Sequence, residues 1–177
     1  GEVWAGTNNG VIQLTRDGGK SWTNVTPAGL PARAGINIID ASHSNDGTAY
    51  AAVGAPGDVH PYIYGTTDYG RSWTKIVTGL PDEGLVRVVR EDPVKPNLLY
   101  AGTVTGAWVS FDSGNHWQSL QINLPHTVVS DIAIHKNDIA ISTYGRGLWV
   151  MDDVTPLRDA EQAIAAGSAP YLYAPET

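Results

Sequence analysis

The chain has no cysteine, one phenylalanine and one methionine in 177 residues. Without cysteine there is no disulfide framework, no thiolate metal site and no cysteine nucleophile. Charge is scarce as well, with only 16% Asp, Glu, Lys and Arg. Cations are the scarcer sign: 11 Lys and Arg stand against 18 Asp and Glu, for a net charge of −7. Such a chain lacks the basic patch that a nucleic-acid backbone or an anionic membrane surface would require. No apolar run approaches the roughly 20 residues of a membrane-spanning helix, and no signal peptide is visible. Nothing in the sequence calls for a cofactor. The chain opens Gly1-Glu2-Val3, without an initiator Met and directly in a strand-like run, so a piece of a longer protein is expected.

Turn formers and tryptophan are abundant, with 20 Gly, 11 Pro and six Trp. Half of the Trp residues belong to a repeated motif. Its copies read Thr15-Arg16-Asp17-Gly18-Gly19-Lys20-Ser21-Trp22, Thr67-Asp68-Tyr69-Gly70-Arg71-Ser72-Trp73 and Ser110-Phe111-Asp112-Ser113-Gly114-Asn115-His116-Trp117, the first aligned as one residue longer than the second. The tryptophans recur after 51 and 44 residues, which suits one four-stranded propeller blade per repeat. Asp17, Asp68 and Asp112 suit tight turns, because a carboxylate can accept backbone N–H groups while Gly19, Gly70 and Gly114 tolerate positive φ. Trp22, Trp73 and Trp117 are expected to start the next strand and to plug the space beneath each turn. These nine residues are read as structural.

A second periodicity agrees with the first. Strands of small and aromatic residues precede each motif (3–7, 49–53, 99–103 and 139–143), each followed by an apolar strand (11–14, 62–64, 107–110 and 147–150). Candidate innermost strands lie at 36–39, 85–89 and 130–134. Small residues such as Gly6, Ala51 and Gly102 in strand interiors imply close backbone approach between blades. With strands lettered A to D from the inside outwards, the chain reads B-C-D, A-B-C-D, A-B-C-D, A-B-C. That makes an all-β propeller of four-stranded antiparallel blades, about three and a half of them, over residues 1–154. Residues 155–177 form a tail: Thr155-Pro156 starts a short helix reaching Ala166, Gly167 stops it, and 168–175 is extended. Three and a half blades leave bare edges, so a complementing chain, or a homodimer giving about seven blades, is expected to complete the ring.

The motif resembles the Asp-box, or bacterial neuraminidase repeat, found in sialidases, two-propeller xyloglucanases, photosystem assembly propellers and sortilin-type receptors. The stretch Ile139 to Leu157, with Thr143-Tyr144-Gly145-Arg146-Gly147-Leu148-Trp149-Val150-Met151-Asp152-Asp153, resembles the closing segment of large bacterial sortilin-like propellers that carry glycosyl hydrolase or sialidase labels. The resemblance implies a secreted or periplasmic bacterial protein. It also implies either a scaffold that binds a carbohydrate, peptide or protein, or a glycoside hydrolase whose site needs further blades. No arginine arrangement here matches the sialidase triad, and the cysteine-rich module of sortilin receptors is absent.

In a propeller the D-to-A and B-to-C loops share one face, which usually holds the ligand, and the motif turns lie on the other. That selects Arg33, His60, Tyr144 and Arg146 as candidate ligand-binding residues. Gly145 and Gly147 flank Arg146 and let the chain turn sharply to aim its guanidinium, as an anion clamp, as a salt bridge to Asp131, Asp152 or Asp153, or in a stack against Trp149. Asp58, Asp82 and Glu83 are the candidate catalytic carboxyls, since glycoside hydrolysis uses a pair about 5–9.5 Å apart. His60 and His126 lack a second ligand at diagnostic spacing, so no metal site is expected. Arg87, Arg90 and Asp131 lie on or beside innermost strands and could line a central channel.

Overall fold

A computed structural model describes residues 1–160, 162 and 173. Among these, the elements in chain order are β1 (Val3–Gly6), β2 (Ile12–Thr15), β3 (Thr23–Asn24), β4 (Gly35–Ala41), β5 (Ala49–Gly54), β6 (Ile63–Thr66), β7 (Thr74–Lys75), β8 (Val86–Glu91), β9 (Leu99–Thr103), β10 (Ala107–Ser110), β11 (Gln118–Ser119), β12 (Val129–His135), β13 (Asp138–Thr143), β14 (Leu148–Met151) and α1 (Thr155–Arg158). The strands form four antiparallel sheets, ordered β1-β2-β3, β4-β5-β6-β7, β8-β9-β10-β11 and β12-β13-β14. The predicted B-C-D, A-B-C-D, A-B-C-D, A-B-C sequence is therefore the observed one. The incomplete units stand as separate three-stranded sheets, so the expected three and a half blades' worth of strands is arranged as two complete and two partial blades.

The blades pack in chain order, β1 on β4, β4 on β8 and β8 on β12. Each junction has its own apolar cluster. Ile12 and Leu14 meet Ala51, Val53 and Tyr64 between the first two blades. Tyr50, Ala52 and Ile63 meet Val86, Leu99 and Ala101 at the second junction, and Tyr100 and Val109 meet Ile132, Ile139 and Ile141 at the third. Strands β5 and β9 are buried on both faces, which is why they read as continuous apolar runs. The small residues allow the approach. A Cβ on Gly6 would stand 2.5 Å from Ile36 Cγ2, and one on Gly102 would stand 2.5 Å from Val129 Cγ1.

The motif turns differ from expectation in two respects. All three share one length, Ser/Thr-x-Asp-x-Gly-x-x-Trp, because the second begins at Thr66 and not Thr67. The Thr66 hydroxyl donates to Asp68 Oδ1 at 2.9 Å and accepts from Gly70 N–H at 3.0 Å, while Asp68 accepts from Ser72 N–H and Oγ–H at 2.9 and 2.6 Å. Thr15 with Asp17 and Ser110 with Asp112 repeat the pattern. Second, the tryptophans of the second and third motifs do not plug their own turns. They reach across to the preceding blade, Trp73 Nε1–H donating to Val25 O at 2.7 Å and Trp117 Nε1–H to Ile76 O at 2.9 Å.

In the fourth blade Met151-Asp152-Asp153 takes the place of a motif. Asp153, at φ 59°, accepts from Thr155 N–H at 3.0 Å, and the chain then turns into α1. Thr155 lies inside this helix and the cap position falls on Val154, which has no side chain to offer the free N–H groups. The helix is anchored by Arg158, whose Nε donates to both Asp92 oxygens at 3.0 Å. The expected helix beyond residue 160 and the extended segment 168–175 lie outside the described residues apart from positions 162 and 173.

Candidate functional site

Each innermost strand carries one β-bulge at the same level. The register slips between Ile36 and Ile38, between Val86 and Val88, and between Val129 and Asp131. The extra residues are Asn37, Arg87 and Ser130. A bulge turns a side chain out of the alternating pattern, here at the end of each strand that follows a D-to-A loop. Asn37 Nδ2–H donates to Val86 O at 2.8 Å and ties two inner strands together. Ser130 Oγ pairs with Ser142 Oγ at 2.8 Å.

Asn37 and Arg87 line a cavity of about 530 Å³ on the loop face, together with Asn8, Arg33, Asp58 and Val59 among others. Arg33 sits at φ 57° in a turn closed by Ala34 N–H to Pro31 O at 3.1 Å. For a side chain other than glycine, that left-handed geometry costs roughly 1–2 kcal/mol. Arg33 and Arg87 are exposed and have no hydrogen-bond or ion-pair partner among the described residues. Asp58, by contrast, is fully engaged. It accepts from His60 N–H at 3.0 Å, lies 2.7 Å from His60 Nδ1 and takes the Tyr62 hydroxyl at 2.8 Å. Those bonds, led by the His60 backbone N–H, lower its pKa to about 2, so it is an oriented anion across the ordinary pH range.

The structure thus brings Arg33 and Asp58 together, with His60 behind Asp58. Asp82 and Glu83 are exposed and are not among the residues lining this cavity, which has Asp58 as its single acid. Tyr144 and Arg146 lie apart on the fourth blade and outside the cavity lining. Gly145 and Gly147 take φ of 81° and 76°, as the sharp turn requires. The Arg146 carbonyl accepts the Trp149 indole at 2.9 Å, while its guanidinium makes no ion pair with Asp131, Asp152 or Asp153. Asp131 is taken by Arg90 at 3.1 Å, which also reaches Asp40 at 3.3 Å, so Arg90 is a strut across three inner strands. No group of three or more His, Asp or Glu residues arranged to hold a metal ion occurs among the described residues. Sequence reasoning missed Asn37, because alternation alone does not show where a strand carries an extra residue.

Four radially packed antiparallel sheets, with the inner strands of the last three adjacent, define a β-propeller. The solved structures agree. A GH74 xyloglucanase from Xanthomonas campestris superposes with a TM-score of 0.65 at 22% identity, over 86% of this chain and 26% of that one. YCF48 bound to D1 peptide superposes with a TM-score of 0.64 at 22% identity, over 85% of this chain and 46% of that one. In sequence the chain is 36% identical over 84 residues to an oligoxyloglucan-reducing end-specific xyloglucanase from Emericella nidulans, and 35% identical over 77 residues to a probable one from Neosartorya fischeri. These matches cover 46% and 42% of this chain but only 10% and 9% of those enzymes. No protein-family model matches the chain.

Proposed function

We propose that this chain is a ligand-binding part of a larger Asp-box propeller, and that its loop-face cavity takes the carboxylate of a peptide. One observation carries the reading: two arginines, Arg33 and Arg87, face one cavity without a partner among the described residues, while the only acid in its lining is already satisfied by His60 and Tyr62. Unpaired guanidiniums on a shaped surface suit a planar anion, which two N–H groups can grip at once. That a propeller of the same fold binds a peptide supports the choice of ligand class. The three motifs are then Asp-boxes on the opposite face, the segment 139–157 is the sortilin-like closing stretch, and the setting is extracytoplasmic.

Calorimetric titration with short peptides ending in a free carboxylate, and with the same peptides amidated, tests this. The free-acid forms bind more tightly, and Arg33→Ala and Arg87→Ala each weaken them about 10-fold or more, as loss of a charge-assisted bond predicts. Equal binding of the amidated peptides would sink the reading.

The xyloglucanase matches favour a second reading, a glycoside hydrolase that uses Asp58 and an acid contributed by another blade. Hydrolysis takes two carboxyls and this cavity has one. The 177-residue chain therefore releases no reducing sugar from xyloglucan oligosaccharides if the binding reading holds.

A further inference from the structure

The first two blade junctions share one device, and the first motif holds half of it. In the second and third motifs the tryptophan N–H donates to a backbone carbonyl of the preceding blade, at Val25 and at Ile76. Those two residues stand three places after Trp22 and Trp73, just beyond the two-residue outer strands β3 and β7. The side chain of each accepting residue rests on the motif glycine of the next blade. A Cβ on Gly70 would stand 2.7 Å from Val25 Cβ, and one on Gly114 would stand 2.5 Å from Ile76 Cδ1. Glycine is thus required there twice, by its φ of 74° or 87° and by its neighbour. In the first motif Gly19 has φ 92°, yet a Cβ there would meet nothing within 4 Å. Trp22 is 45% exposed, against 4% for Trp117, and its N–H has no partner among the described residues. Val3, on the same blade, is 49% exposed.

We infer that Gly19 and Trp22 form the receptor half of a blade junction, and that its occupant is a further complete propeller blade bearing an outer strand. The residue that follows its outer strand supplies both the aliphatic side chain for Gly19 and the carbonyl for Trp22, as Val25 and Ile76 do. The likeness of this flank to the matching side of the first two junctions decides the kind of partner. A second copy fits less well, because its fourth blade turns into α1 where blades one to three have their outer strands. The inference rests on the reading of the chain as part of a larger ring, and the test keeps the two apart.

The probe is an extended chain in which a second copy of residues 35–96 precedes Gly1. This adds a complete second-blade unit and an inner strand for the first blade, with the added Ile76 facing Trp22. In the 177-residue chain the Trp22 indole N–H exchanges freely and Trp22→Phe leaves the melting temperature unchanged. In the extended chain the melting temperature rises, the N–H is protected at least 10-fold, and Trp22→Phe lowers the melting temperature as Trp73→Phe does. Replacing the added Ile76 by Asp re-exposes Trp22. A rise in melting temperature with Trp22 still exposed overturns the receptor and leaves the larger-ring reading standing. An extended chain that fails to fold, or gains no stability, overturns both. Concentration-dependent protection of Trp22 in the 177-residue chain, with doubled mass, would assign the site to a second copy instead and overturn the choice of occupant.

Discussion

The indole N–H of Trp73 donates to the carbonyl of Val25 at 2.7 Å, 48 residues earlier and one blade away. Trp117 and Ile76 repeat the contact at 2.9 Å across the next junction. These bonds fall at the motif turns, so the repeated geometry of a local turn also sets the spacing between blades.

Replacing Trp117 by Phe keeps most of the buried ring and removes only the donor, leaving the Ile76 carbonyl unsatisfied. The expected loss is about 1–2 kcal/mol, read as a lower urea midpoint. Trp22→Phe, with no acceptor to lose, leaves that midpoint in place.

Strand β9 approaches β12 through Gly102. A methyl there meets Val129 Cγ1 at 2.5 Å and Val88 Cγ1 at 2.6 Å. Gly102→Ala is therefore expected to destabilise by about 1–3 kcal/mol through overpacking, and Val129→Ala in the same chain to recover part of it. A double-mutant cycle by denaturant unfolding gives the coupling; strict additivity would show that the two positions do not touch.

Acid sensitivity follows from the turns. The side-chain and backbone bonds from Ser72 lower Asp68 to about 2, and those from Ser21 hold Asp17 well below the ordinary carboxylate range. At Asp112 partial burial raises the pKa, but the His116 and Ser110 bonds outweigh it. A group with a lowered folded pKa stabilises above its unfolded value, and that contribution is lost as protons bind the folded form. Melting temperature is expected to fall as pH drops from about 4 toward 2. Asp68→Asn makes that descent shallower, and an unchanged slope would count against the assignment.

Arg158 and Asp92 are almost wholly inside, at 8% and 0% exposure. Arg158 also donates to Asn137 Oδ1 and to Lys136 O, each at 2.7 Å, so it bolts α1 to the third and fourth blades. Arg158→Ala strands the Asp92 charge and is expected to cost about 3–5 kcal/mol. Arg158→Met combined with Asp92→Asn recovers much of that, because no charge is left unpaired. Chemical denaturation of the two variants beside the unaltered chain decides it.

The strand order was legible because each signal was local. Asp-Gly turns, two-sided apolar runs at Ala49–Gly54 and Leu99–Thr103, and a motif at blade spacing need no knowledge of distant residues. The site was legible only in part. Topology placed Arg33, Asp58, Asp82 and Glu83 on one face, and the structure sets only Arg33 and Asp58 of these in the lining of one cavity. Asn37 was invisible because a bulge is a property of the pairing of two strands. Trp73 and Trp117 were read as local plugs, whereas their acceptors lie 48 and 41 residues away in sequence.

The sequence by itself determined the repeat, the antiparallel order within each blade and the turns that join the strands, since these depend on backbone preferences and on neighbours a few residues apart. Only the tertiary structure decided which arginines stay unpaired, which carboxylate is already held, and which tryptophan finds a carbonyl. Each of these depends on the distance between blades. That distance is set by side chains packing across junctions, and Trp117 is buried in one of them where Trp22, on the first blade, stays exposed.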